Sequence, residues 1–206
     1  MDKILIIDFG SQYTHLILKV IRKHNVYCEV LDKFPNTQKE WLNVRGVILS
    51  GGPDMVDDTL YNIKRIAVPI LGICFGAQYI AQSYGCEVKK INSEYGRTLI
   101  NIDKSFNHDS LIFTGISSQL EVWMSHSNSI VENLSSSQHL HVLSVTENGN
   151  IAAFKIRNKD VYGLLFHPEV SHTNKGNIIL NNFINICICK RSWNPKQIVV
   201  EIVKNI

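Results

Sequence analysis

Two hydrophobic signatures alternate along the first part of the chain. Ile4 to Ile7 is a continuous apolar run, as expected for a short strand buried on both faces. Asp8-Phe9-Gly10-Ser11 interrupts it. From Gln12 to His24 the apolar residues Leu16, Ile17, Val20 and Ile21 recur at helical spacing. Val26–Leu31, Gly46–Leu49 and Pro69–Ile73 predict three more strands. Ile63–Ala67 predicts part of a helix, and Gly76 to about Tyr84 a whole one. Short strands alternating with helices imply a parallel sheet with helices on both faces.

After Gly85 the pattern changes. Glu87–Lys90, Arg97–Ile102, Leu120–Met124, Val142–Thr146, Ile151–Ile156 and Val161–Phe166 all predict strands. Glu147-Asn148-Gly149-Asn150 holds an Asn-Gly turn signal, and Arg157-Asn158-Lys159-Asp160 is a second polar turn. This half reads as an antiparallel extension of the first sheet. Ser135-Ser136-Ser137 is a short polar loop. Helices are expected from about Lys175 to Cys189 and from Pro195, suited to a first helical turn, to Val203. The fold class is therefore α/β: a mostly parallel central sheet flanked by helices, with an antiparallel C-terminal extension, in one domain over residues 1–206.

Composition narrows the function without naming it. A length of 206 residues suits one domain with a proper core. The formal charge of +3, with no dense Lys/Arg run, argues against a nucleic-acid partner. No apolar run is long enough to span a bilayer, and Met1–Asp8 does not read as a signal peptide. Five cysteines, odd in number and irregular in spacing, read as reduced thiols of a cytoplasmic protein rather than a disulfide framework. Cys187-Ile188-Cys189 lacks the second pair that a closed metal site needs, so no metal is expected.

The stretch that carries chemistry is Gly72-Ile73-Cys74-Phe75-Gly76, between a strand and a helix. Gly-x-Cys-x-Gly there has the form of a nucleophile elbow. The turn is sharp, and glycine tolerates its dihedrals. The helix N-terminus favours thiolate over thiol, and the Phe75 N–H would point at an oxygen held beside the sulfur. Taken alone, the stretch serves a buried structural cysteine equally well.

A nucleophilic cysteine needs a base and a group to orient it. Of the eight histidines, His15 and His24 fall on the first helix and His108 in a loop. His139 and His141 fall in a strand-like run with the character of surface residues. His167 differs. It ends the strand Val161–Phe166 and begins His167-Pro168-Glu169, and strand ends at the C-terminal edge of such sheets are where sites are built. Pro168 keeps His167 extended, so His167 and Glu169, two apart, can face one side. A surface His-Glu pair in a turn fits these three residues as well. Ser50-Gly51-Gly52-Pro53 follows another strand. Its glycines let backbone approach a ligand, and the Gly52 N–H can serve as a second oxyanion donor. Neither this stretch nor Gly10-Ser11 matches a nucleotide-binding motif.

Taken together, these stretches resemble the class I glutamine amidotransferases, of the glutaminase type found in GMP synthase. The likeness runs from Ile4 to about Trp193. Its carriers are Ile7–Thr14, Gly46–Pro53, Gly72–Gln78, Ser93–Gly96, Val122–His126 and Phe166–Val170. The resemblance implies a flavodoxin-like amidotransferase fold and a Cys74–His167–Glu169 triad that hydrolyses glutamine through a thioester. It implies oxyanion donors at Gly52 and Phe75. It also implies contacts to glutamine from Gln78 and the backbone of Ser125, His126, Ser127 and Asn128; Gln78, four residues after Cys74, shares its helix face. One departure stands out: the family usually has His-Gly-Asp where this chain has His126-Ser127-Asn128. That bears on the substrate loop and on communication with a partner, and implies weaker or differently regulated turnover. The resemblance also implies a partner: an ATP-pyrophosphatase (synthetase) domain or subunit that uses ATP and magnesium to convert XMP to GMP. Its Ser-Gly-Gly-x-Asp-Ser loop is not in this sequence. Other amidotransferase pathways, a γ-glutamyl hydrolase or cysteine peptidase, and a weak regulatory domain are the rival readings.

Overall fold

The computed structural model describes residues 1–52, 62–105, 111–131 and 138–195. Pro53, His108, the Ser135–Ser137 loop and the expected last helix beyond Pro195 lie outside them. Eleven strands are described: β1 (Lys3–Ile7), β2 (Tyr27–Leu31), β3 (Val44–Leu49), β4 (Ile70–Ile73), β5 (Glu87–Lys89), β6 (Glu94–Ile102), β7 (Gln119–His126), β8 (Ser129–Val131), β9 (Leu140–Thr146), β10 (Ile151–Ile156) and β11 (Val161–Leu164). Three α-helices accompany them: α1 (Thr14–Lys23), α2 (Phe75–Ser83) and α3 (Gly176–Ile186). None is long and apolar enough to cross a membrane.

Nine strands form one sheet in the order β2-β1-β3-β4-β11-β10-β9-β6-β7. The first five are parallel and the rest pair antiparallel. The expected division into a parallel half and an antiparallel extension holds, with β11 as the joint. Ile4 to Ile7 are fully buried, each contributing about 2 kcal/mol of apolar transfer. α1 packs on β2 and α3, and α2 packs on β3, β4 and β11.

The extension curls back on the parallel half. Past Leu164 the chain meets the outer strand β7: Met124 and Phe166 form a β-bridge, His167 N–H donates to the Trp123 carbonyl at 3.0 Å, and Asn174 N–H to Glu121 at 3.0 Å. Five strands thus close on themselves, and the end of β7 comes to the carboxyl ends of β4 and β11.

Three expectations need correction. Ile63–Ala67 forms only a 3₁₀ turn over Ile63–Arg65, and Ile66 is already extended. Pro69 disfavours helical backbone just ahead of it, and the segment runs straight into β4. Glu87–Lys89 does not join the main sheet. It pairs with β8, a strand not anticipated, in a separate two-stranded ribbon. His141 is buried, not on the surface, because β9 lies between β10 and β6.

Candidate active site

Cys74 joins β4 to α2 with φ 50° and ψ −106°, a strained backbone for a residue with a side chain. Its surroundings hold it there. Cys74 N–H donates to the Leu164 carbonyl at 2.7 Å, and its own carbonyl accepts from Ala77 and Gln78 at 3.0 and 3.1 Å. The flanking glycines are steric necessities. A Cβ on Gly72 would lie 2.5 Å from the Gly76 backbone, and one on Gly76 would lie 2.3 Å from the Leu49 carbonyl oxygen. Sγ sits 3.6 Å from the Ser125 carbonyl oxygen. The curl of β7 supplies that contact.

His167 lies just past β11, buried at 4% exposure. Its Nδ1 is 2.8 Å from Glu169 Oε1. A carboxylate at that distance accepts, so Nδ1 carries a proton. Glu169 Oε2 is buried and makes no hydrogen bond among the described residues, leaving the imidazole as the partner this carboxylate has. Burial by itself works against a charged imidazole. Hydrogen bonds to Cys74 and Glu169, and the charges of both, override it and lift the His167 pKa to about 10. The Tyr13 ring stands edge-on to His167, centroids 5.2 Å apart.

Thr173 fixes the histidine from behind. Its hydroxyl donates to the His167 carbonyl at 2.6 Å and accepts from the Trp123 N–H at 2.9 Å. Nothing in the spacing of the sequence points to Thr173; its role exists only because β7 and residues 166–174 meet.

A cavity of about 460 Å³ opens onto the sulfur, lined by Phe9 to Tyr13, Gly51, Gly52, Cys74, Ser125 and His167. Gly52 and Phe75 are neighbours there: a Cβ on Gly52 would approach the Phe75 ring at 3.2 Å. Neither N–H donates to a backbone carbonyl among the described residues. The Phe75 ring packs edge-on against Phe9, centroids 5.2 Å apart, and pins the start of α2 to the loop after β1. The wall formed by Phe9 to Tyr13 was legible only as a sequence likeness, without a role.

The remaining expected residues sit beside this cavity rather than in its wall. Gln78 donates from Nε2 to the Asn128 carbonyl at 3.2 Å, and Ser93 Oγ to the Ser127 carbonyl at 3.4 Å. His126 turns inward, 3.6 Å from Glu94, with both side chains buried, and Asn150 donates to the other Glu94 oxygen at 2.9 Å. Ser127 and Asn128 are not among the residues with positive φ. The serine in place of glycine is therefore accommodated without left-handed backbone.

Chemically, this is a buried sulfur beside a proton-bearing imidazole held by a carboxylate, with two backbone N–H groups nearby. The set suits nucleophilic attack on a carbonyl carbon.

Comparison with known proteins agrees. The family model for class I glutamine amidotransferases matches residues 5–187. GMP synthase [glutamine-hydrolyzing] of Francisella philomiragia subsp. philomiragia is 39% identical over 99% of this chain, and that of Francisella tularensis subsp. mediasiatica is also 39% identical over 99%. The chain spans 40% of the length of each of these relatives. A Thermoplasma acidophilum protein assigned as one subunit of a GMP synthase superposes with a TM-score of 0.78 at 32% identity, covering 91% of this chain and 94% of that one. A Thermotoga maritima glutamine amidotransferase shares the fold, with a TM-score of 0.63 at 21% identity over 82% of this chain and 76% of its own.

Proposed function

This chain belongs to the class I glutamine amidotransferases, and from that premise we propose that it hydrolyses glutamine to glutamate and ammonia through a thioester on Cys74. The observation that carries the reading is the Nδ1–Oε1 contact of 2.8 Å between His167 and Glu169, which leaves the other ring nitrogen to serve the elbow sulfur. Cys74 as thiolate adds to the side-chain amide carbon of glutamine. The N–H groups of Gly52 and Phe75 take up the charge on the former carbonyl oxygen. The C–N bond breaks as His167 gives its proton to the leaving nitrogen, which departs as ammonia. Water then adds to the thioester carbon, giving a proton to His167, and glutamate leaves as the C–S bond breaks. Glu169 keeps the imidazole in the tautomer that can do both. Gln78 and the backbone of Ser125 to Asn128 position the amino-acid end of the substrate.

The ammonia goes to an ATP-pyrophosphatase (synthetase) partner, domain or subunit, which uses ATP with magnesium to convert XMP to GMP in the cytoplasm. The names of the relatives support this over other amidotransferase pathways. No cofactor or metal is assigned to this domain, which over residues 1–206 is a single glutaminase unit.

Incubation with 6-diazo-5-oxo-norleucine, followed by peptide mass spectrometry, tests the nucleophile. The expected adduct is on Cys74, and Cys74→Ala abolishes glutamate release. Absence of the adduct with a synthetase partner docked would overturn the reading. Mixing the chain with a GMP synthase ATP-pyrophosphatase domain, glutamine, XMP and ATP tests the pathway, with GMP as the expected product.

A further inference from the structure

Two consecutive glycines form the loop that offers the Gly52 N–H, and neither has a Cβ to resist rotation of the peptide between them. Something else has to hold that peptide. Ser50, fully buried, is bonded to the elbow and to the end of β1 and the loop after it. Its carbonyl accepts from the Gly76 N–H of the elbow at 3.0 Å, and its own N–H donates to Ile7 at 3.0 Å. Its hydroxyl accepts from the Phe9 N–H at 2.9 Å. The same hydroxyl lies 2.7 Å from the Gly51 carbonyl oxygen and 3.3 Å from Asp8 Oδ1.

A hydroxyl has one proton to give, and the shorter contact is the one to Gly51. In a planar trans peptide the C=O and N–H point in opposite directions. Holding the Gly51 carbonyl on the buried side therefore turns the Gly52 N–H to the other side. Asp8 orders the loop that brings the Phe9 N–H to Ser50. Its Oδ1 accepts from Gly10 N–H, Ser11 N–H and the Thr14 hydroxyl at 3.0, 3.1 and 2.8 Å. Burial opposes its charge, yet these bonds keep the carboxyl below its usual range.

We propose that Ser50 is a positioning residue for the oxyanion site, latching the Gly51–Gly52 peptide in the orientation that presents the Gly52 N–H, with the Phe9 N–H fastening the latch to the loop that Asp8 orders. This rests on the reading of Gly52 as an oxyanion donor.

The test separates chemistry that forms an oxyanion from chemistry that does not. Glutamine turnover forms one; alkylation of Cys74 by iodoacetamide, a displacement at carbon, does not. For Ser50→Ala, kcat for glutamine falls about a hundredfold while KM stays within about threefold. The rate of carbamidomethylation of the Cys74 peptide, followed by mass spectrometry, stays at the wild-type value. A kcat within about threefold of wild type would overturn the proposal, and so would an alkylation rate that falls in step with kcat. If Ser50→Ala fails to fold, Ser50→Cys replaces it: similar in volume but a weak donor, it is judged by the same two rates. Glutaminase activity surviving in Cys74→Ala would sink the thioester reading, and the latch is then judged by a measurement that needs no turnover. The hydrogen-exchange rate of the Gly52 amide, which the latch holds toward the cavity, falls in Ser50→Ala as the freed peptide turns the N–H inward; an unchanged or faster rate overturns it.

Discussion

Burial alone would strip the proton from His167, and two neighbours prevent it. The folded pKa of about 10 lies above the ordinary imidazole value of about 6.5. Protonation is therefore linked to folding. Its stabilising contribution is fully present below about pH 6.5 and is lost as pH rises toward about 10. Denaturant midpoints taken across that window should show the wild-type advantage over Glu169→Gln shrinking with rising pH. A widening gap would contradict the linkage. The same neighbours set the activity profile. Glu169→Gln removes the charge that supports the imidazolium, so its alkaline limb should move to lower pH, with kcat reduced on the order of a hundredfold or more. A limb that stays in place would show that Glu169 does not act through His167.

At the scale of elements, the elbow depends on two closely packed surfaces. Gly76 lies against the Leu49 backbone of β3, where a Cβ would come within 2.3 Å of a carbonyl oxygen. Backbone cannot yield as a side chain can, so Gly76→Ala should cost about 3 kcal/mol or more and drive β3 and α2 apart, measurable as a large fall in Tm. The turn after β7 is less demanding. Ser127 takes no positive φ, so Ser127→Gly should leave kcat/KM for glutamine within about twofold. Asn128→Asp restores a charge beside the Gln78 contact, and it is this substitution that should change turnover. Kinetics of the two single variants separate backbone freedom from charge. The need for Gly72 and Gly76 was legible in the sequence, since a nucleophile elbow dictates small residues at those offsets. The 3₁₀ turn at Ile63–Arg65 was not, because three apolar residues at helical spacing do not reveal how soon a chain must straighten to enter β4. β8 was not legible either: Ser129–Val131 is too short to show a period, and its partner β5 is distant in sequence.

For the whole molecule, the decisive feature is the curl of the antiparallel half. It closes β7 onto residues 166–174, and Thr173 is the fastener, bonded to Trp123 N–H and the His167 carbonyl. Thr173→Val keeps the shape and removes both bonds, leaving the part-buried Trp123 N–H without its acceptor. That should cost about 1–3 kcal/mol, or several degrees in Tm at about 2–4 °C per kcal/mol. It should also lower kcat about tenfold by letting His167 drift, and Thr173→Ser should restore both. Equal kcat in the valine variant would show that the curl stabilises the fold without positioning the site.

The sequence by itself determined the family, the candidate residues and most of the elements. Local rules fix them: apolar runs make buried strands, glycines permit the elbow at Cys74, and Pro168 sets His167 and Glu169 on one side of an extended segment. Only the tertiary structure decided which residues meet. Ser125 reaches the sulfur, Thr173 reaches His167, and Ser50 ties the loops after β1 and β3 to the elbow, across separations of 51, 6 and 41 residues. The physical reason is that these contacts depend on sheet order and curvature, which arise from packing the whole core at once. No local pattern encodes them.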